Sequence, residues 1–105
     1  MTSEALGEPQ VRDVPERGRY EVVLDGELAG VAFYGLGEGE ITLKHTEVDE
    51  RFEGRGLGSR LARTVLDDAR RRGLTVRPLC PFMASYIGSH PEYQDLVTDQ
   101  ELERG

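Results

Sequence analysis

Residues 51–73 read "RFEGRGLGSRLARTVLDDARRRG" and predict a glycine-rich loop that leads directly into a helix. After the loop, apolar residues recur every three or four positions, so one helical face is apolar and carries Leu57, Leu61, Ala62, Val65, Leu66 and Ala69. Arg70 to Arg72 suit the negative end of the helix dipole, and Gly73 suits the left-handed residue that ends a helix. Asp67 and Asp68 fall on the polar face, where we expect them to be solvated. The stretch therefore predicts one amphipathic helix.

The glycine loop before this helix is a candidate anion site. The first N–H groups of a helix have no intrahelical partner, and glycine lets the backbone curl so that these donors converge. Arg51, Arg55 and Arg60 can add positive charge, and Arg55 is the best placed because it lies between glycines. The alternative is a glycine-rich turn that only connects the preceding strand to the helix, because short glycine patterns often occur without a ligand.

Features missing from the sequence exclude two familiar kinds of phosphate-binding loop. A Walker loop needs a lysine after its last glycine, and the only lysine of the chain is Lys44. A dinucleotide fold needs repeated βαβ units, whereas antiparallel strands are predicted before this loop. The remaining familiar use of a strand, a loop of this kind and a helix is the binding of an acyl-CoA.

The residues before the loop predict antiparallel strands. Val11 to Val14 form a short first strand, and Asp25-Gly26 supplies the positive φ angles of a type I′ turn between two apolar runs. A second turn is predicted at 35–40. Residues 40–48 then alternate, which puts Ile41, Leu43 and His45 on one face and Thr42, Lys44 and Thr46 on the other. The first half is therefore predicted to be a meander of three or four strands.

The residues after the helix predict a strand and a second helix. Residues 74–80 form the strand, and the helix begins with Pro81 in its first turn and is interrupted by Pro91. The order of elements predicts one α+β domain over residues 10–98. We expect residues 1–9 to form a mobile tail and residues 99–105 to be a frayed end.

The charge of the chain bears on its partners. Thirteen basic and twenty acidic residues give a net charge of −7, which opposes non-specific binding to nucleic acid and mildly favours a cationic partner such as an amine. No apolar run is long enough to span a membrane and the N-terminus lacks a signal-peptide pattern, so we expect a cytoplasmic protein that binds neither membrane nor nucleic acid. The single cysteine, Cys80, offers neither an internal disulfide nor the paired spacing of a zinc site, and no metal is expected.

Residues 45–93, "HTEVDERFEGRGLGSRLARTVLDDARRRGLTVRPLCPFMASYIGSHPEY", resemble the GNAT acetyltransferase superfamily, and within it the minimal YjdJ-like branch. The combination of "EVDERFEGRGLGSRL", one helix, "RPLCPF" and "HPEY" at the expected distances carries the resemblance. It implies a GNAT-like fold, acetyl-CoA as acyl donor, and transfer of the acetyl group to a primary amine that the sequence does not identify.

The resemblance also implies a set of cofactor-binding residues. The backbone of the pyrophosphate loop would hold the CoA diphosphate, the end of the preceding strand would bind the pantetheine arm, and a tyrosine of the second helix would lie nearby. In order, these residues are Arg55, Gly56, Leu57, Gly58 and Ser59; Thr46, Glu47 and Val48; and Tyr86. Glu53 departs from the Gln or Arg that usually opens the loop motif, and Gly88 stands where many members have a tyrosine that protonates the leaving thiolate.

His45 and Cys80 are the candidate catalytic residues, because the resemblance places them at positions put forward as functional in this branch. Acetylation of an amine needs a base, and histidine titrates near neutral pH. A cysteine before a helix N-terminus can be a nucleophile or can line the thioester. The alternatives are a histidine with only a structural role and a small buried cysteine. A CoA-binding module with little turnover is the alternative function, and the oligomeric state is left open.

Overall fold

The computed structural model describes residues 8–97, which form a five-stranded sheet with a core of two α-helices packed against it. The strands follow the order of the chain across the sheet. They are β1 (Gln10–Val14), β2 (Arg19–Leu24), β3 (Glu27–Gly37), β4 (Glu40–Val48) and β5 (Thr75–Pro78), and the helices are α1 (Leu57–Arg71) and α2 (Pro81–Gly88). Short 3-10 turns occupy Pro15–Arg17, Glu50–Phe52 and Pro91–Leu96.

The topology confirms the predicted α+β, GNAT-like architecture. The first four strands pair antiparallel, while β4 and β5 pair parallel because α1 connects them. Residues 1–7 of the predicted tail and the whole predicted frayed end, residues 99–105, lie outside the described residues. The division of the chain into a tail, a domain and an end therefore stays a prediction. Within the described part, no helix is long and apolar enough to cross a membrane.

Two local predictions hold in detail. Asp25 and Gly26 have φ angles of 53° and 81°, as the tight turn between β2 and β3 requires. All six residues of the predicted apolar face of α1 are buried: Leu57, Leu61, Ala62, Val65, Leu66 and Ala69. The helix contacts the middle of the sheet through this face, so the 3.6-residue period alone located the core side of α1.

The prediction that Asp67 and Asp68 are solvated holds for Asp67, which is exposed, and was wrong for Asp68, whose side chain is 19% exposed. The hydroxyl of Tyr93 donates to Asp67 at 2.8 Å, and the hydroxyl of Tyr20 donates to Asp68 at the same distance. Burial and the hydrogen bond to Asp67 raise the pKa of Tyr93 to about 12. Burial and the hydrogen bond to Asp68 raise the pKa of Tyr20. Both partners are distant in sequence, so helical periodicity could not reveal them.

The predicted alternation along β4 was also wrong from Lys44 onward. Tyr34 pairs with Leu43 and Phe33 pairs with His45, which leaves Lys44 as an extra residue in a β-bulge. A bulge shifts the side-chain phase by one residue. His45 therefore leaves the face of Leu43 and joins Phe33 on the opposite face, where its side chain is 58% exposed.

Candidate functional site

The glycine loop leads to the start of α1, which no side chain of residues 8–97 caps. Gly54 and Gly56 have φ angles of +87° and +74°, and Gly56 is the N-cap of α1. The first intrahelical bond shown at this end runs from Arg60 N to Gly56 O, at 3.0 Å. A Cβ atom at either glycine would meet no atom within 4 Å, so the space beside the loop is open. This geometry fits a diphosphate held by the first N–H groups of α1.

Two of the arginines predicted to add positive charge to the loop, Arg55 and Arg51, have different partners in the structure. Arg55 is exposed, with its guanidinium 5.8 Å from the centre of the Phe52 ring. Arg51 instead binds Asp49 at 3.1 Å and Glu27 at 3.0 Å. Its hydrogen bonds hold the pKa of Asp49 below the ordinary value. Arg55 is therefore the better placed of the two to meet an anion at the loop.

Strands β4 and β5 separate at Leu43. Their pairing covers Glu40 to Leu43 of β4, and the N–H groups of Leu79 and Cys80 both donate to Leu43 O at 3.0 Å. Across residues 8–97, no strand pairs with the following part of β4, residues 44–48, on this side. Thr46, Glu47 and Val48 lie along this opening. Its unpaired backbone edge is the place predicted for an extended ligand arm.

Cys80 lies at the point where the two strands separate. Its side chain is 3% exposed, and its thiol donates to the Thr46 hydroxyl at 3.4 Å. Cys80 is also the N-cap residue of α2, and Pro81 follows at the first helical position. This arrangement puts a buried sulfur beside the opening, on the core face of the sheet.

His45 lies on the other face of β4. Its Nε2 atom is 2.8 Å from Glu47 Oε2, and its ring stacks on Phe33 with 6.4 Å between the ring centres. The structure therefore does not bring His45 and Cys80 to one face. A carboxylate partner and an aromatic neighbour fix the orientation of the histidine, which suits a residue that accepts a proton.

Tyr86 belongs to an aromatic cluster on α2. Its ring stacks on His90 at 3.8 Å, and the ring centres of Phe82 and Tyr93 lie 6.5 and 6.2 Å away. The residue of α2 that touches the glycine loop is Phe82, because a Cβ at Gly58 would lie 3.0 Å from its ring. Sequence reasoning missed this contact, since no local pattern pairs Phe82 with Gly58.

The geometry defines a class of protein: an α+β domain with an open glycine loop at a helix start and a parted pair of parallel strands, suited to an acyl-CoA. Residues 19–96 match the family described as GCN5-related N-acetyl-transferase. The chain belongs to this family.

The chain is also similar to proteins from several vertebrates and to one bacterial protein of known structure. The chain is 28% identical to Protein NATD1 of Xenopus tropicalis over 72% of each chain. It is 29% identical to Protein NATD1 of Gallus gallus, over 78% of this chain and 76% of the relative. The NMR solution structure of a GCN5-like candidate N-acetyltransferase from Staphylococcus aureus superposes with a TM-score of 0.67, 22% identity, and coverage of 85% of this chain and 87% of that chain. The last comparison shows that the two folds are alike.

Proposed function

We propose that this protein is an acetyl-CoA-dependent N-acetyltransferase of the YjdJ-like branch that acetylates a primary amine of a small molecule or a peptide. The observation that carries the proposal is the uncapped, open start of α1 directly after the separated end of β4. Membership of the GCN5-related family supports the reaction class. When bound, acetyl-CoA supplies the acetyl group as a reactive thioester.

The backbone would hold the donor. The N–H groups of Gly56, Leu57, Gly58 and Ser59 are suited to the diphosphate, with Arg55 adding a positive charge. The edge of β4 at Thr46 to Val48 is suited to the amide groups of the pantetheine arm. Glu53 is exposed beside the loop and adds a negative charge, so binding depends mainly on backbone donors.

His45 would act on the acceptor. In the neutral ring, Nε2–H donates to Glu47 and leaves Nδ1 as the atom that can accept a proton from an ammonium. Holding the amine beside the donor would supply much of the acceleration. Cys80 is buried and bound to Thr46, which favours a lining role, while a route through an acetyl-cysteine is the variant mechanism.

A CoA-binding module with little turnover is the second candidate. It is favoured by the separation of the two catalytic candidates, since His45 and Cys80 lie on opposite faces of the sheet. Glu53 and the absence of a tyrosine at position 88 add to it. We also propose, from the sequence, a cytoplasmic protein that binds neither nucleic acid nor membrane.

Calorimetry with CoA and a transfer assay separate these functions. For the enzyme we expect CoA binding, and release of the CoA thiol from acetyl-CoA that depends on a primary amine. Binding without transfer to any amine of a broad panel would favour the module. If CoA neither binds nor raises the unfolding temperature, the loop is only a connection.

A further inference from the structure

In the part of the chain that the structure describes, the two helices cover only one face of the sheet. Both helices pack on the face that carries Tyr20, Ala32 and Leu43, within a single apolar cluster. The register of the strands places two cross-strand rows on the other face. The first row is Arg19, Phe33 and His45, and the second is Glu21, Val31 and Glu47.

A groove runs across these two rows. Its cavity of about 280 Å³ has an apolar floor that includes Val31 and Phe33, with Leu28 and Val48 alongside. Leu28 is 44% exposed and extends the apolar lining of the groove. The volume lies just below the usual range for small-molecule sites, so the groove fits a short, slender molecule.

The two ends of the groove have opposite charge. At one end, Arg19 lines the groove and lies 2.7 Å from the buried carboxylate of Glu21. Glu21 also binds Arg12 and Arg17, which line a neighbouring depression, so its charge is shared among three guanidinium groups. At the other end stands Glu47, whose side chain is 66% exposed and contacts His45. Asp49, also at this end, is bound to Arg51.

The ends are separated by a definite length. Arg19 and His45 pair with Phe33 from its two sides, so their backbones are two strand spacings, or about 10 Å, apart. Arg19 binds Glu21 through Nε and Nη2, which leaves Nη1 to donate to a ligand. A ligand that satisfies both ends needs an anionic group and an ammonium separated by several apolar carbons.

We propose that this groove is the acceptor site and that the acceptor is an ω-amino carboxylate. The ammonium lies at the His45 and Glu47 end, the apolar stem lies on Val31 and Phe33, and the carboxylate binds Arg19. The proposal rests on the proposed function, because it takes His45 as the residue that receives the proton of the amine. A polyamine fits less well, since its second ammonium would lie against Arg19.

A titration followed by NMR tests the groove without any need for acetyl-CoA. The probe is 6-aminohexanoate added to the full chain, with hexylamine and hexanoate as matched compounds that each lack one charged group. We expect 6-aminohexanoate to shift the amides of Val31, Phe33 and Glu47 and to bind about tenfold more tightly than either matched compound. Equal binding of hexylamine, or tighter binding of spermidine or a lysine peptide, overturns the choice of acceptor.

Two variants link the binding to the groove. Glu47→Gln changes an exposed side chain, so we expect the fold to persist, the affinity for 6-aminohexanoate to fall about tenfold and that for hexanoate to stay unchanged. Glu38→Gln, in the exposed turn between β3 and β4, is the control and should change neither affinity. No difference between the two variants would overturn the proposal.

The groove and the reaction can fail separately. If 6-aminohexanoate binds to the groove and neither it nor any amine of the panel is acetylated, the ligand class of the groove stands and the transferase proposal fails. If other amines are acetylated while the amides of Val31 and Phe33 do not move, the transferase stands and the groove is not the acceptor site.

Discussion

The thiol of Cys80 donates a hydrogen bond to the hydroxyl of Thr46, 3.4 Å away, where β4 and β5 separate. This contact exists because the bulge at Lys44 turns Thr46 toward the core. It places a buried sulfur beside the backbone edge proposed to bind pantetheine.

Gly56→Asp should abolish CoA binding and leave the fold largely intact. The new carboxylate would fill the open space beside the helix start and repel the diphosphate. Because Gly56 has a φ of +74°, we also expect a loss of about 1 kcal/mol in the free energy of unfolding. Calorimetry with CoA and urea unfolding measure the two effects.

Gly39→Asp is the matched control for this variant. Gly39 has a φ of +69° and equally open surroundings, but it lies in the turn between β3 and β4. It should lose similar stability and keep its affinity for CoA. Equal affinities in the two variants would reject the loop as the diphosphate site.

Cys80→Ala should bind CoA and retain acetyl transfer within about threefold, because a lining residue can be shortened at little cost. Since the thiol is buried, we expect about 1 kcal/mol less stability. Mass spectrometry of the wild type after incubation with acetyl-CoA should show no acetylated cysteine. An acetyl-cysteine, together with a variant that binds CoA and transfers nothing, would establish the covalent route instead.

His45→Gln should lower the rate of transfer at neutral pH by about a hundredfold or more, because a general base is removed. The affinity for CoA should not change. His90→Gln is the control, since His90 stacks on Tyr86 and no role in the reaction is proposed for it. Steady-state rates that fall equally in both variants would point to a structural effect in place of catalysis.

Asp68→Ala should destabilise the protein by about 1–3 kcal/mol, because it leaves the buried hydroxyl of Tyr20 without its acceptor. Asp68→Asn keeps an acceptor oxygen at the same place and should cost less. Urea unfolding compares the two variants. Equal losses would mean that the charge of Asp68, which also pairs with Arg71, matters more than the hydrogen bond.

Stability should fall as the pH rises above about 10. Burial raises the pKa of Tyr34 and of Tyr93 to about 12 in the folded protein, while an unfolded tyrosine titrates near 10. The unfolded state therefore loses its protons first, so the stabilisation is fully present below pH 10 and is lost between about pH 10 and 12. The double variant Tyr34→Phe, Tyr93→Phe should show a shallower decline of the urea midpoint over this range, and an unchanged slope would contradict the assignment.

Local patterns in the sequence determined the turn at Asp25-Gly26, the core face of α1 and the glycine loop before it. Each of these depends on the conformational preferences of residues that are neighbours along the chain or one helical turn apart. The family resemblance supplied the choice of CoA and directed attention to His45 and Cys80.

Tertiary structure alone decided which face each side chain of β4 occupies. The bulge at Lys44 arises from pairing with β3, and no residue pattern within β4 predicts it. The partners of Asp67 and Asp68, the contact of Phe82 with Gly58 and the uncovered face with its groove likewise depend on residues that meet only after the chain folds. Such contacts are set by packing between distant segments, which periodicity along one segment cannot report.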